Sequence, residues 1–154
     1  MKQLLSLVLF TTIASGIFAQ AEQRKKHFNI NDKQVAISGY DAVAYFTQNK
    51  SVEGKSELAV AYQGVVYYFS TAENKELFKK NPSKYEPQYG GWCAYAMGND
   101  GSKVEVDPKT FKILDGKLYL FYNKFFTNTL KSWNKNETVL QQNADANWLK
   151  TYKP

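Results

Sequence analysis

Two short turns, Gln63-Gly64 and Asp115-Gly116, restrict what this chain can fold into more than any other feature of its sequence. Each offers a glycine for a positive φ, and each lies between runs rich in β-branched and aromatic residues. Turns of two residues join neighbouring strands in antiparallel order. The sequence therefore predicts two β-hairpins, one over 56–70 and one over 111–122.

The first hairpin has the alternating pattern of a strand pair with one buried face. Residues 58, 60 and 62 are apolar or aromatic, and so are residues 65, 67 and 69 beyond the turn. Side chains two residues apart point to the same face of a strand, so we expect this face to lie in the core. The predicted cross-strand pairs are Tyr62 with Val65, Val60 with Tyr67, and Leu58 with Phe69.

Helical signals flank the hairpins. Ser70-Thr71-Ala72-Glu73 has the spacing of a capping box, which predicts a helix that carries Leu77 and Phe78 and ends at Asn81-Pro82. Nearer the C-terminus, apolar residues recur every three to four positions, as on one face of a helix. The two helices predicted there carry Phe126, Thr129, Leu130 and Trp133, and Leu140, Ala144 and Trp148.

Length and composition set the fold class. The chain has 154 residues, of which 44% are hydrophobic and 22% charged. This suffices for one domain with a sizeable core and excludes a disordered chain. The sequence predicts one α+β domain, in which a small antiparallel sheet of β-hairpins packs with short helices and further helices follow at the C-terminus. A short strand is also predicted over 35–37.

The N-terminus is predicted to be a secretory signal peptide over residues 1–21. Lys2 precedes an apolar run from Leu4 to Ala19, and small residues allow cleavage after Ala19 or after Ala21. The apolar run is shorter than the roughly 20 residues that a membrane-spanning helix needs. We therefore expect an exported protein, periplasmic or secreted, with no stable membrane anchor after cleavage and a single domain over 22–154.

The charge distribution argues against nucleic-acid binding. The chain carries 20 Lys and Arg residues against 14 Asp and Glu, a formal net charge of +6. The lysines are scattered through every predicted element rather than gathered on one stripe, as a phosphate-binding surface requires. The basic run Arg24-Lys25-Lys26 is expected to be solvated and frayed at the start of the mature chain.

The single cysteine, Cys93, excludes an intrachain disulfide and any multi-cysteine metal site. If the chain is helical from about Gly91, Cys93 and Met97 lie one turn apart and their sulfur atoms point the same way. Thiolate and thioether are the ligands that Cu(I) prefers. The alternatives are that both residues belong to the core, or that Cys93 is a reactive thiol.

Tyr40 and Asp41 form the second group of candidate residues. Asp41 follows a glycine-containing turn and precedes an apolar run, Ala42-Val43-Ala44-Tyr45-Phe46. This setting favours a buried, hydrogen-bonded carboxylate that holds a loop together, and a ligand contact is the alternative.

Several separated blocks resemble exported proteins that contain a YHS domain. They cover nearly all of the mature chain and occur in the family's order. The blocks are Ile37-Ser38-Gly39-Tyr40-Asp41-Ala42-Val43-Ala44-Tyr45-Phe46, Tyr67-Tyr68-Phe69-Ser70-Thr71-Ala72-Glu73-Asn74, Tyr89-Gly90-Gly91-Trp92-Cys93-Ala94-Tyr95, Asp115-Gly116-Lys117-Leu118-Tyr119-Leu120 and Ala144-Asp145-Ala146-Asn147-Trp148.

The resemblance implies a link to metal binding, because shorter YHS domains lie beside copper-transporting pumps and in some oxygenases. In that group, two cysteines four residues apart follow a strand of tyrosine and phenylalanine. Ser70 and Asn74 stand at these positions here. Serine and asparagine suit a helix N-terminus but are poor ligands for a soft metal.

The leading hypothesis is a small exported binding protein without catalytic activity, whose ligand is a metal ion, such as copper, or a small molecule. Tyr40, Asp41, Tyr89 and Trp92 are the predicted ligand-binding residues, and Cys93 and Met97 are the predicted metal ligands. The alternatives are an interaction or structural module of the cell envelope with a protein partner, suggested by the eleven tyrosines, or an enzyme that uses Cys93.

Overall fold

A computed structural model describes residues 18–153. Most of the predicted signal peptide, including the start of its apolar run, lies outside the described residues. Helix α1 covers residues 18–27, so both predicted cleavage positions fall within it. Within the described range, no helix combines the length and apolar character needed to cross a membrane.

The elements alternate between short helices and hairpins, which confirms the predicted α+β class. Three antiparallel two-stranded sheets are present within residues 18–153. After α1, the chain forms α2 (Ala44–Thr47), β1 (Lys55–Tyr62), β2 (Val65–Phe69), α3 (Ala72–Lys80), α4 (Pro82–Tyr85), α5 (Ala94–Asn99), β3 (Asp107–Leu114), β4 (Lys117–Phe121), β5 (Asn123–Lys124), β6 (Thr127–Asn128), α6 (Thr129–Trp133) and α7 (Glu137–Thr151).

The first predicted hairpin is confirmed near its turn and differs further out. Tyr62 lies opposite Val65 and Val60 opposite Tyr67, as predicted. Phe69 lies opposite Lys55 rather than Leu58, because an irregularity in β1 shifts the register between positions 55 and 60. The buried face is carried mainly by β2, whose residues 65, 67 and 69 are all buried.

The second hairpin forms around Asp115-Gly116, where both residues have a positive φ. The connecting segment before it runs beside β4, with isolated bridges from Pro87 to Leu118 and from Cys93 to Leu120. Residues 35–37 do not form the predicted strand. Val35 and Ala36 make single bridges, and a 3₁₀ turn begins at Ile37.

Two predicted helix starts are displaced. The side chain of Thr71, not Ser70, caps α3 by accepting a hydrogen bond from the backbone N–H of Asn74. The predicted helix from Gly91 begins only at Ala94, because Gln88–Gly91 forms a separate 3₁₀ turn with Tyr89 and Gly90 at positive φ.

The last two predicted helices are present as α6 and α7, with one difference. Trp133 in α6 and Leu140 and Ala144 in α7 are buried, as expected. Phe126 lies outside α6, in the turn between β5 and β6, and its side chain is exposed.

Helices α5 and α7 pack so closely that only glycine fits at Gly98. A Cβ atom built there would lie 2.3 Å from the carbonyl oxygen of Leu140. This contact is with backbone, which cannot move aside as a flexible side chain can. Gly98 therefore sets the distance between the two helices that cover one side of β4.

We expect Gly98→Ala to destabilise the fold by about 3 kcal/mol, because the added methyl group overpacks the helix contact. Urea unfolding of the full chain measures this. Asn99→Ala, at an exposed position of the same helix, should change the stability by less than about 0.5 kcal/mol. Equal stability of the Gly98→Ala protein and the wild type would show that α5 and α7 are further apart than described.

Candidate functional site

The structure does not bring the six predicted site residues together in one site. The hydroxyl of Tyr40 donates to Glu53 Oε1 at 3.3 Å, and Trp92 Nε1 donates to the backbone oxygen of His27 at 2.7 Å. Asp41 is fully buried beside β2 and α3, and Cys93 and Met97 are fully buried as well. The expected helix face shared by Cys93 and Met97 is not formed, because α5 begins only at Ala94 and the two side chains pack into different clusters.

Asp41 accepts five hydrogen bonds with its two carboxylate oxygens. Oδ1 accepts from the backbone N–H groups of Val43 at 2.9 Å and Ala44 at 3.2 Å. Oδ2 accepts from the N–H of Ser70 at 2.8 Å, the hydroxyl of Ser70 at 2.6 Å and the amide of Asn74 at 2.8 Å. Asp41 thus has the structural environment that the sequence favoured, with no solvent-facing oxygen left for a ligand.

Cys93 and Met97 pack into different parts of the core. The Cys93 sulfur lies 3.3 Å from Thr129 Oγ1 and accepts a hydrogen bond from the N–H of Tyr122 at 3.4 Å. Met97 belongs to the cluster around Tyr119 and Trp133, whereas Cys93 packs in the cluster that contains the first hairpin. Cys93 also borders a small cavity of about 220 Å³.

The largest described cavity is a cleft of about 610 Å³, which we call the terminal cleft because α1 and α7 border it. Its volume is in the range of small-molecule sites. Aromatic side chains provide much of its wall, and Tyr89 is the one predicted site residue among them. The aromatic lining residues are Phe28, Tyr62, Tyr89, Trp148 and Tyr152.

An ion pair lies at one side of the terminal cleft. The guanidinium of Arg24 is 95% buried and forms a bidentate hydrogen-bonded pair with the carboxylate of Glu86, with Nη1 at 3.2 Å from Oε2. The hydroxyl of Tyr67 also donates to Glu86, at 2.5 Å. Burial and then the Glu86 carboxylate raise the pKa of Tyr67 well above its ordinary value, so this hydroxyl stays protonated and donates.

Arg24 is also held by aromatic rings, and one of its donors has no partner. Its guanidinium carbon lies 4.4 Å from the ring centre of Phe28 and 5.3 Å from that of Tyr62. The buried Nε–H of Arg24 finds no hydrogen-bond acceptor within residues 18–153. Because buried donors are nearly always paired, this N–H marks a point where an acceptor atom would be stabilising.

A second polar pair lies at the other side of the cleft. The hydroxyl of Tyr89 donates to Asp145 Oδ1 at 2.9 Å, which ties the 3₁₀ turn to α7. Burial and then the Asp145 carboxylate raise the pKa of Tyr89 above its ordinary value. The cleft therefore combines aromatic walls with fixed polar groups at both sides.

Residues 43–89 match the YHS domain family. The chain is a YHS-domain-containing protein. The match includes Glu86 and Tyr89 at the cleft, but not Arg24, Trp148 or Asp145. No curated protein and no solved structure matches the chain.

The residues at the expected metal position of the YHS domain do not fit a soft metal ion. Ser70 and Asn74, which stand where shorter YHS domains have cysteines, both direct protons at Asp41 Oδ2. A metal ion would need lone pairs at the place that these hydrogen atoms occupy. Across residues 18–153, no group of three or more His, Cys, Asp and Glu side chains is arranged to hold a metal.

Arg24, Glu86 and Trp148 are cleft residues that the sequence reasoning did not select. Arg24 belongs to the basic run that the sequence predicts to be solvated and frayed, but it is helical and buried. The sequence does hold one signal for it, since the aromatic residue Phe28 follows four residues later, at the spacing of one helical turn. Glu86 and Asp145 gave no signal, because their partners are remote in sequence.

Asp41→Asn should destabilise the protein by about 3 kcal/mol or more, as measured by urea unfolding. An asparagine offers one acceptor oxygen, so its amide group would face backbone N–H groups or the donors on Ser70 and Asn74. The matched control is Asp115→Asn in the exposed hairpin turn, where asparagine is favoured. If both substitutions cost the same, the hydrogen bonds of Asp41 do not support the fold.

Cys93 should react slowly with a thiol reagent in the native protein and rapidly after denaturation. Its side chain has no exposed surface, and a reactive thiol needs access to solvent. The labelling rate at neutral pH, with and without denaturant, measures this. Equal rates would support the alternative of a reactive Cys93.

Proposed function

We propose that this YHS-domain protein is an exported, non-catalytic binding protein for a small organic molecule, held in the terminal cleft. The ligand has a flat apolar body and at least one acceptor oxygen, such as a carboxylate, sulfonate or carbonyl group. The observation that carries the proposal is the buried, partly unpaired guanidinium of Arg24 in an aromatic-walled cleft of about 610 Å³.

The aromatic wall supports a flat ligand. Phe28 packs against Trp148 and Tyr152, with ring centroids 6.0 and 5.3 Å apart. These rings already adopt tilted and edge-to-face arrangements, so the wall is built before a ligand enters. A planar ligand gains dispersion and ring contacts against these rings.

Arg24 supports an acceptor group on the ligand. Burial disfavours its charge, but hydrogen bonding to Glu86 and the carboxylate's charge outweigh this and raise the pKa of Arg24. The two Nη groups bind Glu86, and the buried Nε–H has no acceptor within residues 18–153; in this proposal it donates to an oxygen of the ligand when the ligand displaces the side chains that cover it. The ion pair thus fixes the guanidinium in place.

The proposal is consistent with export. Arg24 lies beyond both predicted cleavage positions, so it is retained whether cleavage follows Ala19 or Ala21. A cut after Ala21 removes Gln20, which borders the cleft, and opens it on that side. Processing and ligand access are therefore linked in this proposal.

The copper form of the hypothesis has less support. The side chains of Cys93 and Met97 lie in different clusters, and Cys93 already has Thr129 and Tyr122 as polar partners. A copper site at these two residues would require the core to rearrange. It stays a prediction, tested by titration of the protein in competition with a Cu(I) chelator.

The other two alternatives, an interaction module of the cell envelope and an enzyme that uses Cys93, also have less support. Six of the eleven tyrosines are buried and the rest are half-buried, so they form the core and its margins rather than an open interface. The side chain of Cys93 borders a small cavity but has no exposed surface of its own, which argues against a reactive thiol. A small-ligand cleft is the function that the geometry favours.

Titration with 8-anilinonaphthalene-1-sulfonate, a flat aromatic anion, tests the cleft. We expect saturable binding to the folded wild type, and binding at least about tenfold weaker for Trp148→Ala, because one aromatic wall is lost. Probe fluorescence measures the affinity, and circular dichroism shows that the variant is folded.

Leu77→Ala is the matched control, since it removes an exposed apolar side chain from α3, beside a different surface groove. It should bind the probe as the wild type does. Wild-type protein that fails to saturate, or a Trp148→Ala variant with unchanged affinity, would contradict the proposed site.

A further inference from the structure

Phe125 and Phe126 form an aromatic tip at the end of the third hairpin. They connect β5 to β6, which pair Asn123 with Asn128 and Lys124 with Thr127. Phe125 is 86% exposed and Phe126 is fully exposed. Within residues 18–153 they are the only two neighbours in sequence among the exposed large hydrophobic side chains.

The tip is unfavourable for the fold in two ways. Both phenylalanines have a positive φ, 50° and 64°, a conformation that bulky residues rarely adopt. A two-residue turn of this kind favours Asn-Gly, which would avoid both the backbone strain and the exposed rings. Strain of this kind suggests that the aromatic side chains are kept for a contact outside the chain.

The base of the hairpin is held firmly to the core. Thr129 donates to the backbone oxygen of Tyr122 through both its N–H and its hydroxyl, each at 3.0 Å. The N–H of Tyr122 donates to the buried sulfur of Cys93, and the amide of Asn123 donates to Thr110 Oγ1 at 2.9 Å. The two rings are therefore presented on an anchored support.

The surrounding sequence is basic. No acidic residue occurs between Asp115 and Glu137, and the tip lies near the middle of this stretch. Its four lysines are all exposed, and Lys124 is the residue directly before the tip. They are Lys117, Lys124, Lys131 and Lys135.

We propose that the Phe125–Phe126 tip inserts into the interface of an anionic lipid bilayer. Two phenylalanines together bury about 300–500 Å², which is less than the roughly 800 Å² per partner of a specific protein interface. A bilayer needs no fitted surface, and a small apolar insertion is strengthened by lysines near anionic headgroups. The size and charge of the tip thus favour a lipid surface over a protein partner.

A fluorophore beside the tip tests this directly. The exposed Thr127→Cys variant of the full chain is labelled with an NBD dye, and the buried Cys93 leaves position 127 as the accessible thiol. Vesicles of equal parts phosphatidylglycerol and phosphatidylcholine should raise and blue-shift the NBD emission, and phosphatidylcholine vesicles should not. Added salt should weaken the effect. The dye reports the insertion of the tip itself, even if the apolar N-terminal segment also binds the vesicles.

The variant Phe125→Asn/Phe126→Gly separates binding from folding. It should lower the affinity for the anionic vesicles by about tenfold or more. Its melting temperature should equal or exceed that of the wild type, because Asn-Gly suits the turn. A Ser56→Cys label on the first hairpin should show no blue shift. An unshifted dye at position 127, or undiminished binding of the Asn-Gly variant, would overturn the proposal and favour a protein partner for the tip.

Discussion

The fully buried carboxylate of Asp41, just before the region that matches the YHS domain, is the interaction on which the rest of this fold depends. A buried charge is costly unless it is well hydrogen-bonded, and Asp41 meets that requirement with five donors. Its donors come from three places: the loop that enters α2, the end of β2 and the first turn of α3. One side chain thereby fixes the hairpin, the helix and the preceding loop relative to one another.

The same network explains how this chain differs from the metal-binding YHS domains that it resembles. Ser70 and Asn74 use the positions of the two cysteines to supply hydrogen-bond donors, so the centre is held together by Asp41 rather than prepared for a metal ion. Segments inside and outside residues 43–89 build the terminal cleft together. Arg24 from α1, Phe28 directly after α1 and Trp148 from α7 join Glu86 and Tyr89. In our proposal, the N- and C-terminal segments complete a ligand cleft to which the YHS domain itself contributes Glu86 and Tyr89.

The sequence predicts correctly those elements that depend on a local pattern, such as a two-residue turn or the spacing of apolar residues along a helix. Gln63-Gly64 and Asp115-Gly116 locate both long hairpins, and the apolar spacing of Leu140 and Ala144 locates α7. Prediction from the sequence fails where a residue's environment is set by a partner that is remote in sequence. Ser70 looks like a helix cap, but it donates to Asp41 and leaves Thr71 as the cap. Arg24 looks solvated, but Glu86, which lies 62 positions away, pairs with it inside the fold. Phe126 continues a helical spacing, but it adopts a strained turn that no local preference predicts.

Native mass spectrometry of the full chain, with Cu(I) and 8-anilinonaphthalene-1-sulfonate added together, tests the central claim most directly. We expect one organic adduct per chain, lost in Trp148→Ala and kept in Cys93→Ser, and no stoichiometric copper adduct. A copper adduct that is present in the wild type and lost in Cys93→Ser or Met97→Leu, with no organic adduct, would contradict it.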